Sequence, residues 1–248
     1  MLTSVPCERD QKRVGGGPPA DRKKPDGGIV FGMMVWRLER PIVNALTQVG
    51  NVQGRATPFL VVHLEPVLRL SDKQLYAIAQ LNRDLQIERN AWGELIIMPP
   101  TGGDTGERNA EITMQLRWWA KQDKTGATFD SSTGFRLPND AIRSPDAAWV
   151  SYERLNKLTQ EQRRGFMPLC PDFVIELRSP SDSLADLQGK MREYIENGAK
   201  LGWLLDTERK RAYIYRPDEV VQEVENPVVL SAAPVLADFA LDLREVWW

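Results

Sequence analysis

The most constraining feature of the sequence is a strand–helix–strand unit that spans residues 172–206. Two short apolar runs, DFVIELRS and LGWLLD, flank the amphipathic segment SLADLQGKMREYIENG. The second run is almost continuously apolar, which is typical of a strand buried on both faces. Two strands joined by a helix at this spacing predict a right-handed parallel crossover. The unit therefore predicts a sheet flanked by helices, the α/β or α+β class.

The segment between the two apolar runs carries the start and stop signals of a complete helix. Ser183 is predicted to be its N-cap, and Gly198 provides a C-terminal stop. Two rows of residues follow helical spacing: the apolar row is Leu184, Leu187, Met191 and Ile195, and the polar row beside it is Asp186, Lys190 and Tyr194.

A further candidate strand, SPDAAWVS, precedes this unit and contributes a second acidic residue. Strand alternation places Asp146 on the same face as Ala148 and Val150, and Glu176 lies between Ile175 and Leu177 in DFVIELRS. A crossover containing the short helix LTQEQRRGF is predicted to join the two strands. A carboxylate within an apolar strand is costly to bury unless a charged or hydrogen-bonding group meets it.

Two interpretations of these carboxylates stay open from spacing alone. In the first, Asp146 and Glu176 converge on a hard cation such as Mg²⁺, and Lys190 neutralises a phosphate or helps to generate hydroxide from bound water. In the second, the acids form ordinary ion pairs, Glu176 with Arg178 or Lys190 and Asp146 with Arg143.

The remaining pattern predicts helices and strands on both sides of these elements. A helix starting after Ser71 is followed by the hairpin Leu85–Arg89 and Glu94–Met98. A second helix, TGERNAEITMQLRWWAKQ, is predicted to be capped by Thr105 or Asp104. Further strands are predicted at Ala127–Phe129, Gly134–Leu137, RAYIY and VVQEV.

Composition indicates a soluble globular protein with one domain of ordinary size. The chain has 248 residues, 42% apolar and 27% charged. Two cysteines do not make a disulfide framework and favour a reducing, cytoplasmic location, and the single histidine, His63, argues against a histidine-rich zinc site. No apolar run is long enough to span a bilayer, so no membrane association is expected.

Charge and composition separate the first part of the chain from the rest. Residues 1–58 are rich in glycine and proline, and we interpret them as a disordered or loosely attached extension preceding a domain at 59–248. Residues 1–59 carry a net charge of +4 and residues 60–248 a net charge of −6. A net acidic domain counts against nucleic-acid binding unless a local basic cleft is present.

In its motifs the sequence resembles the Uma-two family of endonucleases, a branch of the PD-(D/E)XK restriction-endonuclease-like superfamily. The resemblance runs from about Phe59 to Trp248. The matching segments, in chain order, are GELIIMPPTGGDTGERNAEI, FDSSTGFRLPN, RSPDAAWVS, LCPDFVIELRSPSDSL, KMREYIENGAKLGWLLD and YIYRP.

The resemblance implies a restriction-endonuclease-like core, with a mixed central sheet flanked by helices and an added N-terminal helix and hairpin. It also implies phosphodiester hydrolysis that depends on Mg²⁺ or Mn²⁺, with nucleic acid, DNA above RNA, as the partner. Asp146 matches the Asp of the PD motif, Glu176 the acidic residue of (D/E)XK, and Lys190 a lysine relocated to the following helix. An enzyme that cuts two strands could act as a homodimer, although no residue indicates one.

The sequence departs from the family pattern at two places. Arg178 stands where the motif has lysine, and an arginine stays protonated and cannot act as a base. Asn109 falls where relatives place His or Glu on the first core helix, with Glu111 nearby. Arg178, Glu111, Asn109 and Tyr194 are therefore expected only as supporting residues. The alternative function is a catalytically inactive nuclease-fold module that binds nucleic acid or a protein, with a stand-alone interaction domain as a third possibility.

Overall fold

The computed structural model describes residues 59–248, so the prediction about residues 1–58 lies outside the described part of the chain. The first nine strands and helices are β1 (Leu60–Val62), α1 (Asp72–Leu81), β2 (Gln86–Arg89), β3 (Leu95–Met98), α2 (Gly103–Asp123), β4 (Gly126–Asp130), β5 (Phe135–Arg136), β6 (Ile142–Arg143) and β7 (Ala147–Ser151). The remaining ones are α3 (Tyr152–Leu155), α4 (Gln160–Arg164), β8 (Phe173–Arg178), α5 (Leu184–Glu196), β9 (Leu201–Asp206), β10 (Arg211–Tyr215), β11 (Gln222–Glu225), β12 (Val229–Ser231) and β13 (Ala240–Asp242).

The central sheet has six strands in the order β11-β10-β9-β8-β7-β4. β8 and β9 are parallel, which confirms the predicted crossover through α5. All other neighbouring strands of the central sheet pair in antiparallel orientation, so the sheet is mixed. The prediction of a crossover between β7 and β8 was wrong: because these neighbours are antiparallel, the segment with α3 and α4 simply reverses the chain.

The two faces of the central sheet are covered by different helices. Ala147, Ile175 and their neighbours on the same face pack with α2 and the C-terminal segment in one core cluster. Ala148, Val174 and the opposite face pack with α5 in a second cluster. This confirms the predicted alternation. Gly202 lets α5 approach β9, since an added Cβ there would collide with the Met191 side chain.

A second sheet of five strands, in the order β1-β3-β2-β6-β5, contains the predicted hairpin. β2 and β3 are antiparallel, with Arg89 opposite Leu95, and the turn uses Gly93 at φ +84°. β6 pairs with β2 through Ile142 and Arg89. The chain then leaves this hairpin sheet and enters β7 of the central sheet only four residues after Arg143.

The helix starts agree with the predictions except at α2. Ser71 caps α1 and Ser183 caps α5, each by accepting a backbone N–H within the first turn. α2 instead begins at Gly103, with Gly102 as N-cap and no side-chain cap. Thr105 is buried, and Asp104 lies within the first turn, where a negative charge favours the helix dipole. Within residues 59–248, no helix has the length and apolarity needed to cross a membrane.

Candidate active site

A cluster of charged side chains lies where the hairpin sheet meets the central sheet and α5. We call this group the charged cluster. It consists of Glu88 from β2, Arg143 from β6, Asp146 before β7, Glu176 from β8, and Lys190 and Glu193 from α5.

Asp146 and Glu176 approach each other because of the register between β7 and β8. Ala147 pairs with Ile175 in this antiparallel ladder, so the next position places Asp146 across from Glu176. Asp146 Oδ2 accepts a hydrogen bond of 2.7 Å from the backbone N–H of Leu177, directly after Glu176. The two predicted metal ligands therefore lie side by side, Asp146 directly before β7 and Glu176 within the neighbouring strand β8.

Lys190 joins the two sheets. Its Nζ lies 2.9 Å from Glu176 Oε1 and 2.9 Å from Glu88 Oε1, and its side chain is only 13% exposed. Burial lowers the pKa of Lys190, but the charges of Glu176 and Glu88 outweigh burial and raise its pKa overall. The ammonium group is therefore firmly protonated, which favours a role as a fixed positive charge over a role as a base.

Glu176 is a buried carboxyl with too few partners for its charge. Its Oε1 forms an ion pair with the Lys190 ammonium and accepts a 2.9 Å hydrogen bond from the Tyr194 hydroxyl. Its Oε2 accepts no hydrogen bond from any residue in 59–248. Burial raises its pKa, and although Lys190 opposes this, Asp146 and Glu88 add to it and bring the pKa to about 8. The one counter-charge of the ionised form, the Lys190 ammonium, is shared with Glu88 and does not fully compensate it.

Asn109 holds the other oxygen of Asp146. Its Nδ2 donates a hydrogen bond of 2.9 Å to Asp146 Oδ1, while its own Oδ1 is buried without a hydrogen-bond partner among the described residues. Burial raises the pKa of Asp146, against the hydrogen bonds from Leu177 and Asn109 and the charge of Lys190. Asn109 and Asp146 thus present oxygen atoms that a water molecule or a cation could satisfy.

Sequence reasoning missed Glu88. It is 1% exposed and accepts from Lys190, from the Ser144 backbone N–H at 2.9 Å and from Arg143 at 3.0 Å. A signal was present in the sequence, since Glu88 follows Ile87 in a predicted strand and is as costly to bury as Glu176. Arg143 was considered only as a partner of Asp146; it pairs instead with Glu88 and, at 2.6 Å, with Glu193.

Two residues predicted to support the site have other partners. Arg178 pairs with Asp206 at 3.0 Å and Glu208 at 2.9 Å, and it does not contact Glu176. Glu111 accepts a hydrogen bond from Gln115 on its own helix. Asn109 and Tyr194, by contrast, contact Asp146 and Glu176 directly.

The donor set fits a cation that is only partly enclosed by protein. The charged cluster contains four carboxylates and two cationic side chains, so its charge is net negative. In the described part of the chain, no three or more His, Cys, Asp or Glu side chains form a complete metal-binding group. Asp146 and Glu176 alone suit Mg²⁺, which binds through one or two carboxylates and keeps water and phosphate oxygens as its other ligands.

Comparisons with known proteins agree with this architecture. Residues 72–244, well over half of the chain, match the Uma2 family model, described as "Putative restriction endonuclease". Among solved structures, a "putative nuclease belonging to DUF820" from Anabaena variabilis ATCC 29413 is similar with a TM-score of 0.56 and 18% sequence identity. The match covers 65% of this chain and 89% of that one, which shows a shared fold. No curated protein matches the chain at a significant level.

Proposed function

We propose that this chain, which belongs to the Uma2 family, is a metal-dependent endonuclease that hydrolyses phosphodiester bonds of DNA. The observation that carries the proposal is the convergence of Asp146, Glu176 and Lys190 at the junction of two sheets. Family and fold support a nuclease. The choice of metal rests on the chemistry of the charged cluster, and the choice of DNA on the description of the family as restriction endonucleases.

Asp146 and Glu176 would hold Mg²⁺ or Mn²⁺. A bound divalent ion supplies two kinds of chemistry in such a site: it polarises a phosphoryl oxygen and lowers the pKa of a bound water. Leu177 and Asn109 fix the orientation of the Asp146 carboxylate through its two oxygens. Tyr194 orients Glu176 through one oxygen, Oε1, so both carboxylates are held by groups of the protein itself.

Lys190 would stabilise the negative charge that develops on the scissile phosphate. Its ammonium group is held at Glu176 and stays protonated, so it can act as an electrostatic stabiliser during phosphodiester cleavage. Arg178 takes no part in this, because its guanidinium is committed to Asp206 and Glu208.

The test is cleavage of plasmid DNA by the wild type and by Asp146→Asn and Glu176→Gln, with Mg²⁺ or Mn²⁺ and with chelator. Each amide variant keeps the side-chain shape but loses the charge that binds the cation, so nicking should fall by about 100-fold or more. Glu161→Gln is the control, since Glu161 is exposed and, within residues 59–248, forms its ion pair with Lys73. Wild-type cleavage by either site variant would refute the mechanism.

A second function is favoured by one observation, the net acidic character of residues 60–248. A nuclease-fold module that binds nucleic acid or a protein without cutting would not need a cation between Asp146 and Glu176. Calorimetric titration with Mg²⁺ separates the two functions. Binding that disappears in Glu176→Gln supports the endonuclease, and the absence of binding in the wild type supports the binding module.

A further inference from the structure

Glu88 lies outside the central sheet yet contacts the lysine of the candidate active site. It comes from β2 of the hairpin sheet, and its carboxylate is 1% exposed. Oε1 accepts from the Ser144 N–H and from Lys190 Nζ, each at 2.9 Å, and Oε2 accepts from Arg143 at 3.0 Å. All partners of this buried carboxylate therefore lie in or beside the charged cluster.

The contact with Lys190 goes beyond what burial of Glu88 requires. Arg143 and the Ser144 N–H already provide a charge and a backbone hydrogen bond to this carboxylate. Lys190, in contrast, has a long flexible stem whose ammonium can rotate among acceptors. With Glu176 as its one acceptor, that ammonium could rotate to other positions, whereas Glu88 and Glu176 together fix it from two different sheets.

The segment that connects the two sheets also connects Glu88 with Asp146, a predicted metal ligand. Arg143 and Ser144 bind the two oxygens of Glu88, and Asp146 follows two residues after Ser144. The segment 143–146 therefore orients the carboxylate that holds Lys190 and the carboxylate that faces Glu176. A displacement of about 1 Å in such an arrangement can reduce catalysis about 100-fold.

We propose that Glu88 is a positioning residue, which holds the Lys190 ammonium against Glu176 for phosphodiester hydrolysis and makes the hairpin sheet part of the active site. This inference rests on the proposed function. Among the described residues Glu88 has no hydrogen bond to Asp146 or Glu176 but has one to Lys190, so it acts through Lys190.

The kinetic test is Glu88→Gln alone and combined with Lys190→Met. The amide keeps the size of the side chain but gives the ammonium a weaker, neutral acceptor, so kcat should fall by about 10- to 100-fold while KM stays unchanged. In the Lys190→Met background, Glu88→Gln should cause no further loss. A full additional loss there would refute positioning through Lys190, because the two residues would then act independently.

The matched control is Glu193→Gln. Glu193 is a partly buried carboxylate of the same cluster that binds Arg143 and not Lys190. If loss of any cluster charge were enough, Glu193→Gln would behave like Glu88→Gln. Positioning predicts a smaller loss of kcat that remains additive with Lys190→Met.

A second measurement does not depend on cleavage. In ¹⁵N–¹H NMR spectra of the metal-free protein, a buried, doubly held ammonium exchanges its protons slowly, so Lys190 Nζ should give a signal that is absent from Lys190→Met. Glu88→Gln should broaden or remove this signal, and Glu193→Gln should retain it. A Lys190 signal that is missing in the wild type, or unchanged in Glu88→Gln, would overturn the proposal.

The two measurements separate failure of the inference from failure of the proposed function. A wild type that cuts no DNA, but loses the Lys190 signal in Glu88→Gln, refutes the endonuclease and leaves Glu88 as the residue that holds Lys190. Cleavage with additive losses refutes the positioning role and leaves the endonuclease. If Glu88→Gln does not fold, Glu88→Asp keeps the charge in the cluster, draws the carboxylate away from Lys190 and is subject to the same readouts.

Discussion

Asp172 and Glu176 are two buried acids of one short segment, and their surroundings differ sharply. Asp172 precedes β8 with 0% exposure, and Glu176 lies within it at 4%. Asp172 Oδ2 accepts the Ser151 N–H at 2.9 Å. Its Oδ1 has no hydrogen bond among the described residues but forms ion pairs with Arg154 at 3.1 Å and Lys200 at 2.9 Å. Glu176 has one oxygen shared by Lys190 and Tyr194 and a second with no hydrogen bond within the described residues.

The pKa values of the two carboxyls move in opposite directions. Burial raises the pKa of Asp172, but the Ser151 N–H, Lys200 and Arg154 outweigh it and lower the pKa overall. Burial raises the pKa of Glu176, and nearby acids help to bring it to about 8 despite Lys190. A buried acid whose charge is already compensated is structural, whereas one with uncompensated negative neighbours is a candidate for binding a cation.

The largest expected difference between the two acids is in DNA cleavage. Glu176→Gln should reduce metal-dependent nicking by about 100-fold or more, because it removes a charge that binds the cation. Asp172→Asn should cut at the wild-type rate at a temperature where it is fully folded. The measurement is the initial nicking rate at saturating Mg²⁺. An equal loss in both variants would contradict the distinction between Glu176 as a cation ligand and Asp172 as a structural acid.

Stability should show the reverse order. Asp172→Asn places an amide N–H₂ among donors and leaves Arg154 and Lys200 without their counter-charge, so it should cost about 2 to 3 kcal/mol. Glu176→Gln removes a charge that Asp146 and Glu88 repel, so it should not lower the free energy of unfolding at neutral pH. Urea unfolding of the metal-free proteins measures both.

A large destabilisation by Glu176→Gln would contradict this interpretation. It would mean that the ion pair with Lys190 stabilises the fold as the pairs of Asp172 do. Both Asp172 and Glu176 would then be structural acids. That result would favour the interpretation in which the acids of the candidate site form ordinary ion pairs.

The pH dependence of stability should distinguish the acids more finely. Glu176 has a raised pKa in the folded state, so its contribution is fully present below 4.5 and is lost as the pH rises through about 8. Asp172 has a lowered pKa, so its contribution is present above 3.8 and is lost on acidification below that value. The slope from one group is at most about 1.4 kcal/mol per pH unit.

Urea unfolding in chelator across this range tests the sign for Glu176. The free energy of unfolding of the wild type should decline between 4.5 and about 8 more steeply than that of Glu176→Gln. Mg²⁺ should reverse part of the decline at the upper end, because cation binding to the folded state compensates the ionised carboxylate. Identical slopes in wild type and variant would show that Glu176 is ionised throughout.

How far the sequence predicts these two environments depends on where the partners lie in the chain. The strand containing Glu176, the helix containing Lys190 and the parallel pairing follow from local periodicity, since the two residues are close in the sequence. Asn109 at Asp146 agrees with the helix position that the family resemblance indicated. Binding of a cation by Asp146 and Glu176 stays a prediction.

The contacts that sequence reasoning did not find involve long-range pairing. Glu88 lies 102 residues from Lys190 and on another sheet, so no local pattern connects them. The antiparallel return from β7 to β8 also escaped prediction, because alternation predicts a strand's faces and not its direction. Gly102 at the start of α2 shows a third limit, since the helix begins there without the side-chain cap that a local signal would provide.

The smallest expected effect concerns the lysine that pairs with the structural acid. Lys200 is 60% exposed, and Asp172 keeps Arg154 and the Ser151 N–H when Lys200 is removed. Lys200→Met should therefore lower the free energy of unfolding by no more than about 1 kcal/mol and leave cleavage unchanged. Lys190→Met should abolish most cleavage, because Lys190 is the ammonium group at Glu176. Parallel urea unfolding and nicking assays on the two variants measure this contrast, and a Lys200→Met enzyme as impaired as Lys190→Met would show that the two acids do not differ in kind.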